Sequence, residues 1–255
     1  MYRIELTKNL IWNCSSQINA LISGNRGSGK SFFAIYLLTE IARHKGQLFI
    51  VDFKNSDLAR LSCLLPQGRV ASSKEEIFEL LQRYVKFMNK RQNYINKNEK
   101  FGSTARNLRW PVMYLVYDEF GAFVPTLSSK ERKEHDRLIS QIALLGRATN
   151  VGIIAIMQQI SVGNSGLPSN VREQFGLVSY MGNANEMALH QAFGNEIRLQ
   201  NEHFDTAEGQ LWLQGRTDGY TLPFCAPDLS NIDLWDELTK VMHSTQKDEL
   251  LIPEK

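Results

Sequence analysis

The sequence predicts an α/β fold: a largely parallel sheet with helices on both faces and a terminal hairpin. Three observations predict it. Gln47–Asp52, Val112–Tyr117 and Val151–Met157 are short, almost continuously apolar runs. Such runs suit strands buried on both faces, as in a parallel sheet. Longer segments with apolar residues at helical spacing alternate with them. The third observation is Gly24–Ser31, which reads G-x-x-x-x-G-K-S between a strand-like and a helix-like segment.

That stretch organises the chain. Ile18–Ile22 reads as a buried strand, Ser31–His44 as a helix, and Gly46 as its stop. Glycines let a loop wrap around phosphates with its N–H groups pointing inward, and the following helix presents its positive end to the same anion. Gly24, Asn25, Arg26, Gly27, Ser28, Gly29, Lys30, Ser31 and Phe32 are therefore the candidate nucleotide-binding segment. Lys30 suits the β/γ-phosphates and the Ser31 hydroxyl suits Mg²⁺, so ATP and Mg²⁺ are the expected cofactors. A glycine-rich turn with an accidental Lys-Ser is the structural alternative.

The chain has 255 residues, 43% of them hydrophobic, enough for an ample core. A net charge of +2 neither demands nor excludes nucleic acid. Three cysteines, Cys14, Cys63 and Cys225, are far apart and lack CxxC spacing. This argues against a disulfide framework or a zinc site and for a reducing cytoplasm. No signal-peptide core opens the chain, and no apolar run is long enough to cross a bilayer. Any membrane role is expected to go through a partner.

In chain order, residues 1–16 read as a strand or hairpin extending the sheet. Asp52-Phe53-Lys54 ends the next strand, where ligands of open α/β sheets bind. Asp52 and Lys54 face the nucleotide or a neighbouring subunit, or form a solvated strand end. Ser72–Asn96 reads as a long helix opened by a Ser73/Glu76 capping box, with Ile77, Leu80, Leu81, Tyr84, Val85 and Met88 as its core stripe. From Arg83 to Arg109 there are eight Lys/Arg against Glu99 alone, with Tyr94, Phe101 and Trp110 among them. This stretch either tracks a nucleic-acid backbone or is a solvated face. Asn98–Asn107 reads as a mobile loop.

Val112–Glu119 is an apolar strand ending in Asp-Glu, the Walker B arrangement. Asp118 suits Mg²⁺, and Glu119 suits orienting the attacking water. Ser128–Asp136 reads as an exposed helix start with His135 on the surface. Leu138, Ile139, Ile142, Leu144 and Leu145 carry that helix to Gly146-Arg147. The strand Val151–Met157 ends in Gln158, which contacts the γ-phosphate or its water, or is structural. Ser161–Ser169 reads as a mobile loop, Val171–Phe175 as a short helix, Gly176–Met181 as a strand and Met187–Phe193 as a helix. Gln210–Leu213 and Tyr220–Leu222 form a hairpin across Gly215–Gly219, and 231–243 a last helix. Residues 1–245 are expected to be a single motor domain and 246–255 a charged tail.

The order of these motifs resembles the FtsK–HerA superfamily of DNA-pumping ATPases. Leu21–Ser31 looks like its Walker A. Ile50-Val51-Asp52-Phe53-Lys54 with Asp57-Leu58-Ala59 is similar to its strand-end Asp-Pro-Lys segment, with Phe53 in place of proline. Val85–Arg91 resembles its E-M-x-x-R helix. Leu145-Gly146-Arg147-Ala148 through Gln158 resembles its A-R-A-x-G-I-H segment running into A-T-Q-R, with Gln159 in place of arginine. Leu167–Phe175 and Gly209–Leu213 resemble its later I-P and G-D-M-L stretches. The resemblance covers roughly residues 5–225. It is strongest to motors of conjugative plasmids and integrative elements of Gram-positive bacteria, although no N-terminal membrane segment or C-terminal DNA-reading domain is evident.

The resemblance implies a RecA-like P-loop NTPase fold. It also implies a ring, commonly hexameric, with ATP at each interface and double-stranded DNA in the channel. Arg147 would then be the arginine finger completing a neighbour's site, with Arg172 the second candidate; a helix-terminal cation is the structural alternative for Arg147. The expected function is ATP-driven DNA translocation for mobile-element transfer or replication, with mobile-element proteins as partners. The alternatives are a viral genome-packaging ATPase with capsid partners, and a nucleotide-switched interaction protein with slow turnover. A small-molecule kinase is weaker, because nothing reads as an acceptor site.

Overall fold

The computed structural model describes residues 2–158, 160, 166–228 and 233–246. Gln159, residues 161–165 of the expected loop, and all of the expected tail but Gln246 lie outside them.

The chain opens with β1 (Arg3–Thr7) and β2 (Leu10–Asn13), followed by β3 (Asn19–Gly24), α1 (Lys30–Arg43) and β4 (Gln47–Asp52). A short β5 (Val70–Ala71) leads into the long α2 (Lys74–Asn98) and then β6 (Met113–Asp118). After α3 (Phe120–Phe123) come α4 (Ser129–Leu145), β7 (Val151–Met157), α5 (Ser169–Arg172) and β8 (Phe175–Met181). The chain continues through α6 (Glu186–Phe193), β9 (Glu208–Leu213), β10 (Leu222–Cys225) and α7 (Leu234–Thr245).

Eight of these strands form one sheet in the order β10-β9-β8-β3-β7-β6-β4-β5. The stretch from β8 to β5 is parallel, and β9 and β10 add an antiparallel hairpin at one edge. Strand period 2 divides the apolar residues between two cores. Leu48 and Ile50 of β4 face α1, α7 and the β1–β2 hairpin, while Phe49 and Val51 face α2 and α4. This is the mostly parallel, helix-flanked sheet that the apolar runs predict, and it is consistent with the RecA-like fold that the resemblance implies.

Several details differ from expectation. The β1–β2 hairpin is a two-stranded sheet of its own and does not extend the main one. It is tied down by polar contacts: Trp12 Nε1 donates to the Gln17 carbonyl at 2.8 Å, and the Tyr114 hydroxyl donates to the Cys14 carbonyl at 2.8 Å. The stop of α1 is a paired C-terminal motif in which Lys45, not Gly46, takes the left-handed conformation (φ 63°). Lys45 N–H reaches the Ala42 carbonyl and Gly46 N–H the Ile41 carbonyl. The short helix before β8 starts earlier than expected, and Phe175 belongs to the strand.

Two charged or polar side chains expected at the surface are in the core. Arg91, placed by sequence in the basic stretch, is 1% exposed. Its guanidinium donates to the carbonyls of Pro111 (2.9 Å) and Thr149 (2.8 Å) and lies 5.7 Å from the Trp110 ring. Burial pulls its pKa down to about 10, so it stays charged at neutral pH. His135 is fully buried among Tyr117, Phe120, Phe123 and Phe78, with its Nε2 3.0 Å from the Tyr117 hydroxyl. Burial lowers its pKa and favours the neutral ring. The expected loop 98–107 is also anchored: Ala105 is buried and its N–H bonds the Ala148 carbonyl at 2.9 Å.

Arg91 therefore pins α2 to the starts of β6 and β7. Arg91→Ala strands two buried carbonyls and should cost about 2–4 kcal/mol in denaturant titration, with neighbouring Lys90→Ala near neutral. Equal, small effects at both positions would show that Arg91 is not a structural tie.

Candidate active site

Parallel pairing puts the C-terminal ends of β8, β3, β7, β6 and β4 at one edge of the sheet. The register aligns Gly24 with Met181, Ser23 with Met157, Asp118 with Ile156, and Asp52 with Asp118. This one edge therefore carries the glycine loop, Gln158, Asp118-Glu119 and Asp52-Phe53-Lys54. Ligands of open α/β sheets bind at such an edge.

The loop between β3 and α1 is built for close approach. Gly24 has φ 142°, and a Cβ there would sit 2.3 Å from the Met181 carbonyl oxygen, so only glycine fits. Lys30 is 8% exposed, and its ammonium folds back to donate to the carbonyls of Gly24 (2.7 Å) and Asn25 (2.6 Å). Burial lowers its pKa, opposed by the nearby carboxylates of Glu119 and Asp118. Ser31 and Phe32 sit exposed on the first turn of α1, and Arg26 is exposed at the loop tip.

The far side of the loop is braced by residues that sequence reasoning did not single out. Ala207 N–H donates to the Ser28 carbonyl at 3.0 Å from a left-handed backbone (φ 71°). Asn25 Nδ2 donates to the Asn183 carbonyl, and the Asn183 side chain exchanges two hydrogen bonds with the Phe204 backbone. Nothing in the local sequence marks these contacts, because they join the loop to segments some 160–180 residues away.

Asp118 is the electrostatic focus. Burial raises its pKa to about 7, with further pushes from Asp52 and Glu119, against which Lys54 acts only partly. Glu119 follows in a left-handed conformation (φ 52°, ψ 53°), a strained state for a non-glycine residue. Its carboxylate lies 3.4 Å from Lys54 Nζ. Asp52 is fully buried, so it is not a solvated strand end. One of its oxygens accepts from Ser56 N–H, Ser56 Oγ and Ala59 N–H, which shapes the turn carrying Lys54. Gln158 is half-buried, one residue beyond β7, between the loop strand and the Asp-Glu strand.

These residues fit a magnesium nucleotide. Among the described residues no group of three His, Cys, Asp or Glu side chains has metal-site geometry. A divalent ion here would share its ligands with phosphate oxygens, the usual habit of Mg²⁺. A carboxylate crowded by two others, beside a glycine cradle and a lysine, is where such a cation relieves repulsion.

The two arginine candidates are elsewhere. Arg147 lies in the 3-10 turn Gly146–Thr149 just before β7, and Arg172 ends α5 just before β8. Both are at the opposite edge, about 20 Å away along seven residues of strand. A Cβ on Gly146 would fall 1.9 Å from the Val151 carbonyl oxygen, so glycine lets the turn tuck under the strand and leaves Arg147 exposed. Arg172 is half-buried and donates to the His190 carbonyl at 3.1 Å.

The raised Asp118 pKa has a checkable sign. The metal-free folded state keeps a proton that the unfolded chain loses near pH 3.8, so this contribution is present at low pH and lost as pH rises through about 7. In chelator, Asp118→Asn should melt with wild type near pH 4 and above it at about pH 8. Coincident melting at the higher pH would show that Asp118 carries no such strain.

No family model matches the chain. It is 26% identical over 208 residues to the Ftsk domain-containing protein YdcQ of Bacillus subtilis (strain 168), covering 81% of this chain and 43% of that protein. In fold it is similar to the pCW3 conjugation coupling protein TcpA, solved with ATPγS, at a TM-score of 0.70 and 16% identity, covering 92% of this chain and 68% of that one. It is also similar to EssC (ATPases 2 and 3) of Geobacillus thermodenitrificans, at a TM-score of 0.67 and 17% identity, covering 92% and 45% of the two chains. The chain thus spans less than half the length of its curated relative. Glycine loop, Asp-Glu strand and mostly parallel sheet give the chain the architecture of a P-loop ATPase, and in sequence it is similar to an Ftsk domain-containing protein.

Proposed function

We propose that the chain is an ATP-driven DNA translocase whose working unit is a ring of copies, with residues 1–245 acting as one motor domain. The observation that carries this reading is the separation of Arg147 from the chain's own loop. An exposed arginine at the far sheet edge cannot serve its own nucleotide and suits the site of a neighbouring copy. Leu144 and Leu145, 45% and 57% exposed beside it, are apolar surface that a neighbour would cover.

In this reading Lys30 and the loop amides of residues 24–29 hold the phosphates. Ser31 and Asp118 hold Mg²⁺, which neutralises charge on the β- and γ-phosphate oxygens when bound. Glu119 orients the attacking water and accepts its proton. Gln158 registers the γ-phosphate, and Arg147 of the adjoining copy stabilises charge developing in the transition state. Arg172, held by a carbonyl, is the weaker finger.

Duplex DNA is the proposed substrate, with proteins of a mobile element as partners. With Arg91 assigned to the core, Arg83, Lys86, Lys90 and Lys97 are the cations of the basic stretch on α2, and Lys100 lies just beyond its end. Among the described residues no helix is long and apolar enough to cross a membrane. Fold likeness to the Type VII secretion ATPase EccC of Thermomonospora curvata, at a TM-score of 0.67 and 18% identity, favours, as second reading, a motor that acts on protein.

ATP turnover measured with and without duplex DNA decides between the two. Stimulation by DNA is expected; stimulation only by a polypeptide substrate would transfer the motor to the second reading. Glu119→Gln should lower turnover by about 100-fold or more while ATP affinity survives, since it removes the base but not the cradle. Arg147→Ala and Lys30→Ala should each be inactive alone. Mixed, they should regain partial turnover, because a wild-type half-site from each copy then meets at some interfaces. No recovery on mixing, with oligomers confirmed by native mass, would remove Arg147 from the neighbour's site.

A further inference from the structure

The sheet edge opposite the glycine loop holds a cavity of about 490 Å³ that the motor reading does not use. Its walls come from separate parts of the chain. Tyr2 precedes β1, His44 ends α1, Arg106 to Trp110 precede β6, and Asn150 precedes β7. Two arginines and a histidine line it, and among the described residues no carboxylate does. Among the described residues neither Arg106 nor Arg109 forms an ion pair, although seven of the ten ion pairs there join a Lys or Arg to a carboxylate.

The cationic rim is held in place. Ala105 N–H is fixed to the Ala148 carbonyl, Trp110 N–H to the Ala105 carbonyl, and Arg109 N–H to the Arg106 carbonyl at 3.1 Å. Asn150 Nδ2 closes the circuit on the Trp110 carbonyl at 2.9 Å. The circuit holds two non-glycine residues in left-handed backbone, Arg109 (φ 57°) and Asn150 (φ 54°), and a third, Lys45 (φ 63°), adjoins His44. Such strain gathers where surrounding structure over-determines a site. Asn150 Oδ1 is buried and has no hydrogen-bond donor. Tyr2 and His44 meet edge to face at 6.2 Å, so aromatic rings form part of the wall.

Unpaired guanidiniums facing a cavity with no carboxylate select an anion, and their planar forks match phosphate oxygens. The volume exceeds what phosphate alone needs and suits a nucleoside attached to it. The aromatic wall suits a base. We propose that this cavity is a second nucleotide-phosphate site, separate from the glycine loop, which takes a nucleoside phosphate either free or as a unit of a DNA strand. It does not depend on the motor reading.

The test uses Lys30→Ala protein, in which the glycine loop is disabled, and two probes: fluorescently labelled ADP and a labelled DNA oligonucleotide. Adding Arg106→Glu with Arg109→Glu should weaken at least one probe about tenfold or more and lower its salt slope by about 1 per lost phosphate contact. Loss of ADP binding identifies the free nucleotide as occupant, and loss of oligonucleotide binding identifies the strand. The neutral pair Arg106→Gln with Arg109→Gln, checked to melt like the parent, should weaken binding in the same direction. Basal ATP turnover should be unchanged when either pair is placed in the wild-type chain. Unchanged binding of both probes overturns the site, whatever DNA does to turnover. Arginine-dependent binding in a protein that DNA does not stimulate would uphold the site and sink the DNA motor.

Discussion

Three carboxylates share the tips of two neighbouring strands, and that crowding governs this structure. Asp52 and Asp118 are in register on β4 and β6, and Glu119 follows directly. In-register parallel pairing forces the contact, because both strands end at the same edge. The chain answers in three different ways. Asp52 is satisfied on one oxygen by three donors of its own turn. Glu119 leans to Lys54. At Asp118 burial and the two neighbouring carboxylates outweigh the help of Lys54 and the Glu119 N–H, and its pKa climbs to about 7. A site arranged so that one carboxylate waits for a cation is a site whose charge is completed by its ligand.

The same register explains how much could be read in advance. β4 is Gln47–Asp52 in structure as in sequence, because a strand buried on both faces must be apolar throughout and its end is marked by the first charge. The loop, the Asp-Glu pair, the Ser73/Glu76 capping box and the terminal hairpin were legible for the same reason: their determinants are local. Arg91 and His135 were not. Arginine in a basic run and histidine in SSKERKEHD look solvated, and only tertiary partners reverse that reading. Those partners are the Pro111 and Thr149 carbonyls in one case and the aromatic residues around Tyr117 in the other. Ala207 and Asn183 were invisible because their roles are backbone contacts to a loop far earlier in the chain.

His135 also shows how the two sheet edges are linked. It sits in α4 against Tyr117 of the Asp-Glu strand and against Phe120 and Phe123 just after it. From there α4 runs on to Leu145 and directly into the turn that carries Arg147. One helix thus spans from the chain's own candidate catalytic strand to the group proposed for its neighbour. A packed aromatic cage transmits displacement better than a solvated helix face, because interiors at crystal-like density cannot absorb a shift locally.

Asn19 fixes the other end of that helix. Its amide donates to the carbonyls of Ala143 and Gln174, and its oxygen accepts from Ile153 N–H. The last turn of α4, the start of β8 and the start of β7 are therefore all tied to the foot of the loop strand itself. A helix held rigidly at both ends, by the aromatic cage and by a buried amide, has little freedom to move Arg147 within one copy. Changes in the arginine's position relative to a neighbouring nucleotide would then come from rotation of whole copies against one another. In the proposed ring, conformational energy would then be stored at the interface between copies rather than inside the domain.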